Sequence, residues 1–357
     1  MNKELTFFVA STNGLRVFKK TGQKISEQGF FFEGRSPEFI AGCRERSEIV
    51  FVAVAFDGGY RTDDGGKTWR KVLEGDFRTF SVDPHDERVI YAGAGPIRLF
   101  RSEDMGLTWE PIDSLISLPD SVQSQWTVPM TYRGKIPPHI CTVFVHPNND
   151  NRIFLALEHG GIIYSNDRGA NWADATKGID YPDMHVIRNL PNSADSFCVS
   201  SARGFFRSDD INGIWTRSEN GMPWAYTEEY SYSHDWLFCP GDTPRIVLAG
   251  ARGSPGVWAR EQTTPLGHIL LSDDLGQSWR RSSFTAEDLP MNAWTLLHHP
   301  ETEKVLFAGM GDGARGFGFD PKKEGTGSIY RSDDRGETWQ PILTDLPTVQ
   351  TLWVTTC

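Results

Sequence analysis

Arg331-Ser332-Asp333-Asp334-Arg335-Gly336-Glu337-Thr338-Trp339 decides the fold, because it recurs. Residues 101–109 (RSEDMGLTW) repeat it, as do 62–69 (TDDGGKTW), 165–172 (SNDRGANW) and 272–279 (SDDLGQSW). A worn copy at 208–215 (SDDINGIW) carries Asn212 at the glycine position. The pattern is Ser/Thr-x-Asp-x-Gly-x-Thr/Ser-Trp; Asn171 and Ile214 depart from it just before their tryptophans. A short apolar run precedes each copy, so the unit reads as strand, hairpin turn, return strand. The aspartate accepts backbone N–H groups across the turn. The glycine allows a positive φ at no steric cost. The tryptophan opens the return strand and folds its ring over the hairpin. These aspartates are therefore expected to stabilise the fold, not to catalyse.

The motif resembles the Asp-box, or BNR repeat, of sialidases, xyloglucan-type glycoside hydrolases, the sortilin luminal domain and photosystem assembly propellers. The resemblance runs over nearly the whole chain and implies an all-β fold, a β-propeller. It implies no single one of those activities. The sialidase Arg-Ile-Pro is missing, since Pro96-Ile97-Arg98 has the wrong order, and sialidase domains have six blades. The xyloglucan enzymes use two tandem propellers, and this chain has length for one. The photosystem factor matches in length but is exported.

Composition narrows the partners. The 357 residues carry a net charge of −11 with no lysine- or arginine-rich run, which disfavours nucleic acid and anionic membranes. The five cysteines (Cys43, Cys141, Cys198, Cys239, Cys357) are odd in number and form no CxxC, which argues against a disulfide framework or zinc knuckle. The N-terminal apolar run is short for a signal peptide and no stretch is long enough for a membrane span, so a cytoplasmic protein is expected.

The boxed aspartates fall at 64, 104, 167, 210, 274 and 334. The shortest gap, 40 residues, fits one four-stranded blade, so longer gaps are one blade plus an insertion. Upstream of each box lies a second apolar run, and upstream of most of those a strand ending near a proline. A seventh unit is split: residues 6–10 and 13–18 copy the pattern without a box, and 351–354 read as an orphan strand. The expectation is one seven-bladed β-propeller over residues 1–357, with its first blade shared by 5–30 and 349–357. Pairing of the N- and C-terminal strands closes the ring and hides its edges.

The insertions at 110–138, 216–233, 252–267 and 311–327 all extend the face opposite the boxes, where function is expected to concentrate. Counting six residues back from each strand-end proline gives Arg78, Cys141, His185, His234 and Trp294, with Glu38 equivalent by strand phase. His139 keeps the side of Cys141. The turns add Glu158 and three Ala-Arg-Gly arginines, Arg203, Arg252 and Arg315, which either converge on an anion or stand as solvated turn residues.

Three functions stay open. The first is a glycoside hydrolase- or lyase-like enzyme on a small anionic ligand such as an acidic sugar. Its acid/base groups would come from Glu38, Glu158, His185, His234, Asp235 and Asp312, with a lyase base among Tyr226, Tyr230 and Tyr232. Arg78, Arg203, Arg252, Arg315 and Trp294 would bind the ligand. The second is a metal-dependent enzyme with a divalent ion on His139, His185, His234 and Glu158. The third is a non-catalytic binding or assembly propeller presenting Trp224, Trp258 and Trp294.

Overall fold

The computed structural model describes residues 4–127, 137–191, 193–224, 231–261, 263–284, 290–312 and 325–356. It contains seven four-stranded antiparallel sheets. Their innermost strands touch in succession around a ring, from Pro37–Gly42 through to Val349–Thr356 and back. The chain is a seven-bladed propeller, as the six boxes and the split seventh unit together predict. Blade one is composite: Val349–Thr356 pairs with Leu5–Ser11, in register from Leu5 opposite Thr356 to Ala10 opposite Thr351.

Burial follows strand order within each blade. The second strands, such as Val50–Val54, Ile153–Leu157 and Phe197–Ser201, are buried at every position. Neighbouring blades cover both of their faces, which is why they read as unbroken apolar runs. Several outermost strands are two residues long and exposed, as at Glu110–Pro111, Ala173–Asp174 and Arg280–Arg281. Short polar edges limit pairing with other chains.

Five of the six boxes are closed hydrogen-bond rings; in the worn copy Asp210 instead accepts from Asn212 N. Asp104 Oδ1 accepts from Ser102 Oγ (2.8 Å), Leu107 N (3.0 Å) and Thr108 N (2.8 Å), and Oδ2 accepts from Thr108 Oγ1 (2.6 Å). Gly106 has φ 78°, and a Cβ there would stand 2.4 Å from the Phe51 ring of the preceding blade. The return strand begins one residue after each boxed tryptophan. The rings of these tryptophans do not all cover their own hairpins. Trp339 Nε1 donates to Gly336 O of its own box, but Trp172, Trp215 and Trp279 donate to Ser114, Ala175 and Ser218 on the preceding blade. Those three boxes therefore join blades as well as closing turns.

Asp104→Ala should cost about 1–3 kcal/mol, through backbone amides left without acceptors. Burial raises the Asp104 pKa, but bonds from Thr108, Ser102 and Leu107 outweigh it and hold the carboxyl at about 2. A carboxyl depressed in the folded state contributes stability that is present above its unfolded value, near 4, and lost as pH falls through the folded one. The penalty measured by denaturation should therefore be full at pH 5–7 and shrink toward pH 2. A variant of normal stability that had lost ligand binding would show that the box has another role.

One irregularity recurs in all seven blades. Each innermost strand carries a β-bulge at the same level. The residues it leaves out of simple one-to-one pairing are Glu38, Arg78, Cys141, His185 with Val186, His234 with Asp235, Trp294 and Gln350. A bulge bends its strand and re-aims the extra side chain.

Candidate active site at the channel mouth

Every bulge residue lines a single cavity of about 160 Å3. The loops on the face away from the boxes complete it with Glu158, His159, Tyr181 and Asp183, and with Ser254 to Gly256 near the start of the helix Pro255–Glu261. The spacing from the strand-end prolines thus picks out bulge positions. It misses Gln350, whose strand has no proline after it.

One flank is acidic and imidazole-rich. Glu158 lies in the turn after Ile153–Leu157, and Asp183 immediately precedes Met184–Asn189. Burial raises the Glu158 carboxyl above its usual range, and the neighbouring charge of Asp183 raises it further. Burial pushes Asp183 up to about 7. His139 and His159 are held below the ordinary histidine value, chiefly by burial. His139 Nδ1 donates to Pro137 O at 3.0 Å and His185 Nδ1 to Ser233 O at 2.7 Å. A carbonyl only accepts, so in both rings the proton sits on Nδ1 and the lone pair on Nε2. Cys141 Sγ stands 3.5 Å from Glu158 Oε2.

The adjoining flank, joined to it through His185, is aromatic. The rings of His185 and His234 are 5.2 Å apart, those of Tyr232 and His185 5.1 Å, and those of His234 and Trp294 5.1 Å. Trp258 lies behind, 5.6 Å from Tyr232 and 6.0 Å from Trp294. These rings form a small cluster separate from the blade cores. Of the three histidines expected together, His185 and His234 stand ring against ring, and His139 lines the same cavity.

Other expected residues have different surroundings. Arg78 is not poised for a ligand anion: it donates to Asp76 Oδ1 (2.7 Å), Asp76 Oδ2 (3.0 Å) and Glu38 Oε2 (2.7 Å). Glu38 is accordingly ion-paired. Asp235 lines the cavity, but its oxygens accept from Trp236 N (2.7 Å), Arg188 (3.1 Å) and, in the next blade, Leu296 N (2.8 Å). It stitches blades six and seven together, where catalysis was expected. Asp312 is outside the lining and accepts from Thr326 N (2.6 Å) and Thr348 Oγ1 (3.2 Å). Neither Arg203 nor Arg252 is in the cavity lining. Arg203 stacks 4.1 Å over Tyr181 behind the wall, and Arg252 ends its strand paired with Ser231. Arg315, Tyr226 and Tyr230 lie outside the described residues. Trp224 stacks on His268 at 4.8 Å, away from the lining. Sequence reasoning misses Asp183, although it stands two residues before His185, the offset that marks His139 from Cys141; His159 has no such repeat position.

Residues 60–71 and 330–341 match the BNR/Asp-box repeat family. A xyloglucanase of Hypocrea jecorina (strain QM6a) is 24% identical over 353 residues, covering 85% of this chain and 38% of that enzyme. The chain thus spans well under half of that relative's length. Among solved structures, the GH74 enzyme of Niastella koreensis superposes with a TM-score of 0.62 at 14% identity, covering 94% of this chain and 47% of that one. YCF48 bound to D1 peptide superposes with a TM-score of 0.55 at 13% identity, covering 86% and 87% of the two chains. At such identities these superpositions speak for the fold. With its seven blades and its boxes, the chain is a propeller of the BNR/Asp-box repeat type.

Proposed function

We propose that the mouth cavity is a carbohydrate-active site in which a glycosidic bond is cleaved. One observation carries this reading: carboxyl, imidazole and aromatic side chains together line a void of about 160 Å3. A cavity of about 150 Å3 takes up a benzene ring, so the space suits one six-membered ring. Tyr232 and Trp294 in the lining would meet the face of a sugar, with the polar groups of blades four and five lining the same void. The likeness to a xyloglucanase supports a sugar over other ring compounds.

The lining brings Glu38, Glu158, Asp183 and Asp235 together with Arg78, whose fork is already shared by two carboxylates. That balance favours an uncharged sugar, or one bound beside a cation, over a bare anion.

The test is a panel of neutral and uronate-bearing oligosaccharides, read by calorimetry and by release of reducing ends. Binding and turnover of a neutral member are expected. Tyr232→Ala, checked for folding by its melting temperature, should weaken binding about tenfold, the loss of roughly 1.4 kcal/mol of stacking and burial. No binding and no turnover across the panel would reject the reading. A second reading, a peptide-binding propeller, is favoured by the near-equal coverage with YCF48 bound to D1 peptide. Saturable peptide binding with no sugar turnover would replace the first reading by the second.

A further inference from the structure

Glu158 belongs to two sets of metal-ligand side chains. In one, atoms of Glu158, Asp183 and His185 all lie within 4.8 Å of one another; in the other, atoms of His139, Cys141 and Glu158 do. We propose that the first set binds one divalent transition-metal ion, zinc foremost, with Glu158 and Asp183 supplying oxygens and His185 supplying Nε2. This deepens the reading of the cavity as an active site. It rests on that reading for its catalytic consequence and on geometry alone for the binding.

Four observations support it. The two carboxylates together match the ion's charge, and with the imidazole they form a donor set that zinc accepts. Asp183 is 7% exposed; its carboxyl is hydrogen-bonded with Glu158 and with the His159 backbone, and no donor among the described residues other than the Glu158 carboxyl serves its buried Oδ1. A buried acceptor in that state costs stability unless something occupies it. The Nδ1–H of His185 is anchored on the Ser233 carbonyl at 2.7 Å, the outer contact that orients a metal-binding imidazole and leaves Nε2 as the donor. Finally, ligand atoms of Glu158 and Asp183 lie within 4.8 Å of one another in the cavity wall, and two carboxyls so close need a proton or a cation between them.

The second set is less suited to hold the ion alone. It has one carboxylate, and its Cys141 thiol would have to lose its proton to a metal. His234, expected among the ligands, belongs to neither set; it lies against the rings of His185 and Trp294. Donors on one tetrahedral ion stand about 3.3–3.8 Å apart for bonds of about 2.0–2.3 Å. Closing from 4.8 Å is within reach of side-chain rotation. A bound ion would polarise a substrate oxygen or acidify a water beside the sugar.

The test titrates the full chain, stripped with chelator, with ZnCl2 by calorimetry, and with CoCl2 by absorption. One saturating zinc per chain is expected. Glu158→Gln, Asp183→Asn and His185→Ala should each weaken it by about 100-fold or more, at the upper end of what even outer contacts contribute. Cys141→Ser should bind within about threefold of the parent, and the cobalt form should show no thiolate-to-metal band. Asp183→Asn is close to isosteric, and its melting temperature in chelator checks that it folds. The proposal is overturned by the lack of saturable zinc uptake, by normal uptake in Asp183→Asn and His185→Ala, or by a thiolate band lost in Cys141→Ser. Because the readout is metal uptake, its failure leaves the oligosaccharide result standing, and the converse also holds.

Discussion

Deleting residues 351–357 should abolish cooperative folding, not merely trim stability. Leu352 and Val354 would leave the core cluster they share with Leu5, Phe7, Val9 and Phe307. Each such side chain is worth about 1.5–3 kcal/mol when buried. Losing two, and uncovering three more on Leu5–Ser11, rivals the whole stability of about 5–15 kcal/mol of an ordinary domain. The deletion also bares a seven-residue strand whose residues are all buried in the intact ring, a template for aggregation. Circular dichroism melts and size-exclusion chromatography would read the result. A truncated chain that stayed monomeric and melted like the parent would mean that the ring holds without its last strand.

The second large effect is expected at Arg78. Its guanidinium side chain is 3% exposed and lies between Glu38 at 13% and Asp76 at 11%. Asp76 is itself tied to the neighbouring turn by Phe56 N (2.8 Å), and the Phe56 ring covers the guanidinium at 4.5 Å. Arg78→Ala leaves two carboxylates buried against each other without their cation. Breaking a buried pair in this way costs about 3–5 kcal/mol. At about 2–4 °C per kcal/mol for a chain of this class, the melting temperature should fall by about 10 °C. Arg78→Lys should recover little, because an ammonium cannot present the two-pronged face that Asp76 occupies. An Arg78→Ala protein as stable as the parent but unable to bind an anion would return Arg78 to the role of ligand-binding residue.

What could be read from the chain, and what could not, divides by the range of the physics. The blade count was legible because the Asp-box is a local device, in which Ser, Asp, Gly and Thr satisfy one another within nine residues. The mouth was legible because strand and proline spacing is local too, and it indexed Arg78, Cys141, His185, His234 and Trp294 without showing that they sit on bulges. The direction of a turn side chain was not legible. Arg203 occupies the same turn position as Arg252, yet Arg203 lies over Tyr181 while Arg252 closes a strand pair, and only the neighbouring loops decide between these. Whether a carboxylate is free to act was equally hidden. Asp235 and Asp183 both line the cavity, but backbone amides and Arg188 claim the oxygens of the first, while Oδ1 of the second has none of these.

The ring of bulges also bears on how such a protein changes over generations. A residue that sits outside one-to-one pairing can be exchanged without rewriting the ladder on either side of it. Seven such places, one per blade, hold Glu38, Arg78, Cys141, His185, His234, Trp294 and Gln350, six residue types with only histidine used twice. The scaffold repeats while its vocabulary at the mouth does not. Single substitutions there should alter what the cavity selects more readily than substitutions anywhere in the boxes, except at Arg78, where the guanidinium also neutralises two buried carboxylates and a change of lining is a change of stability.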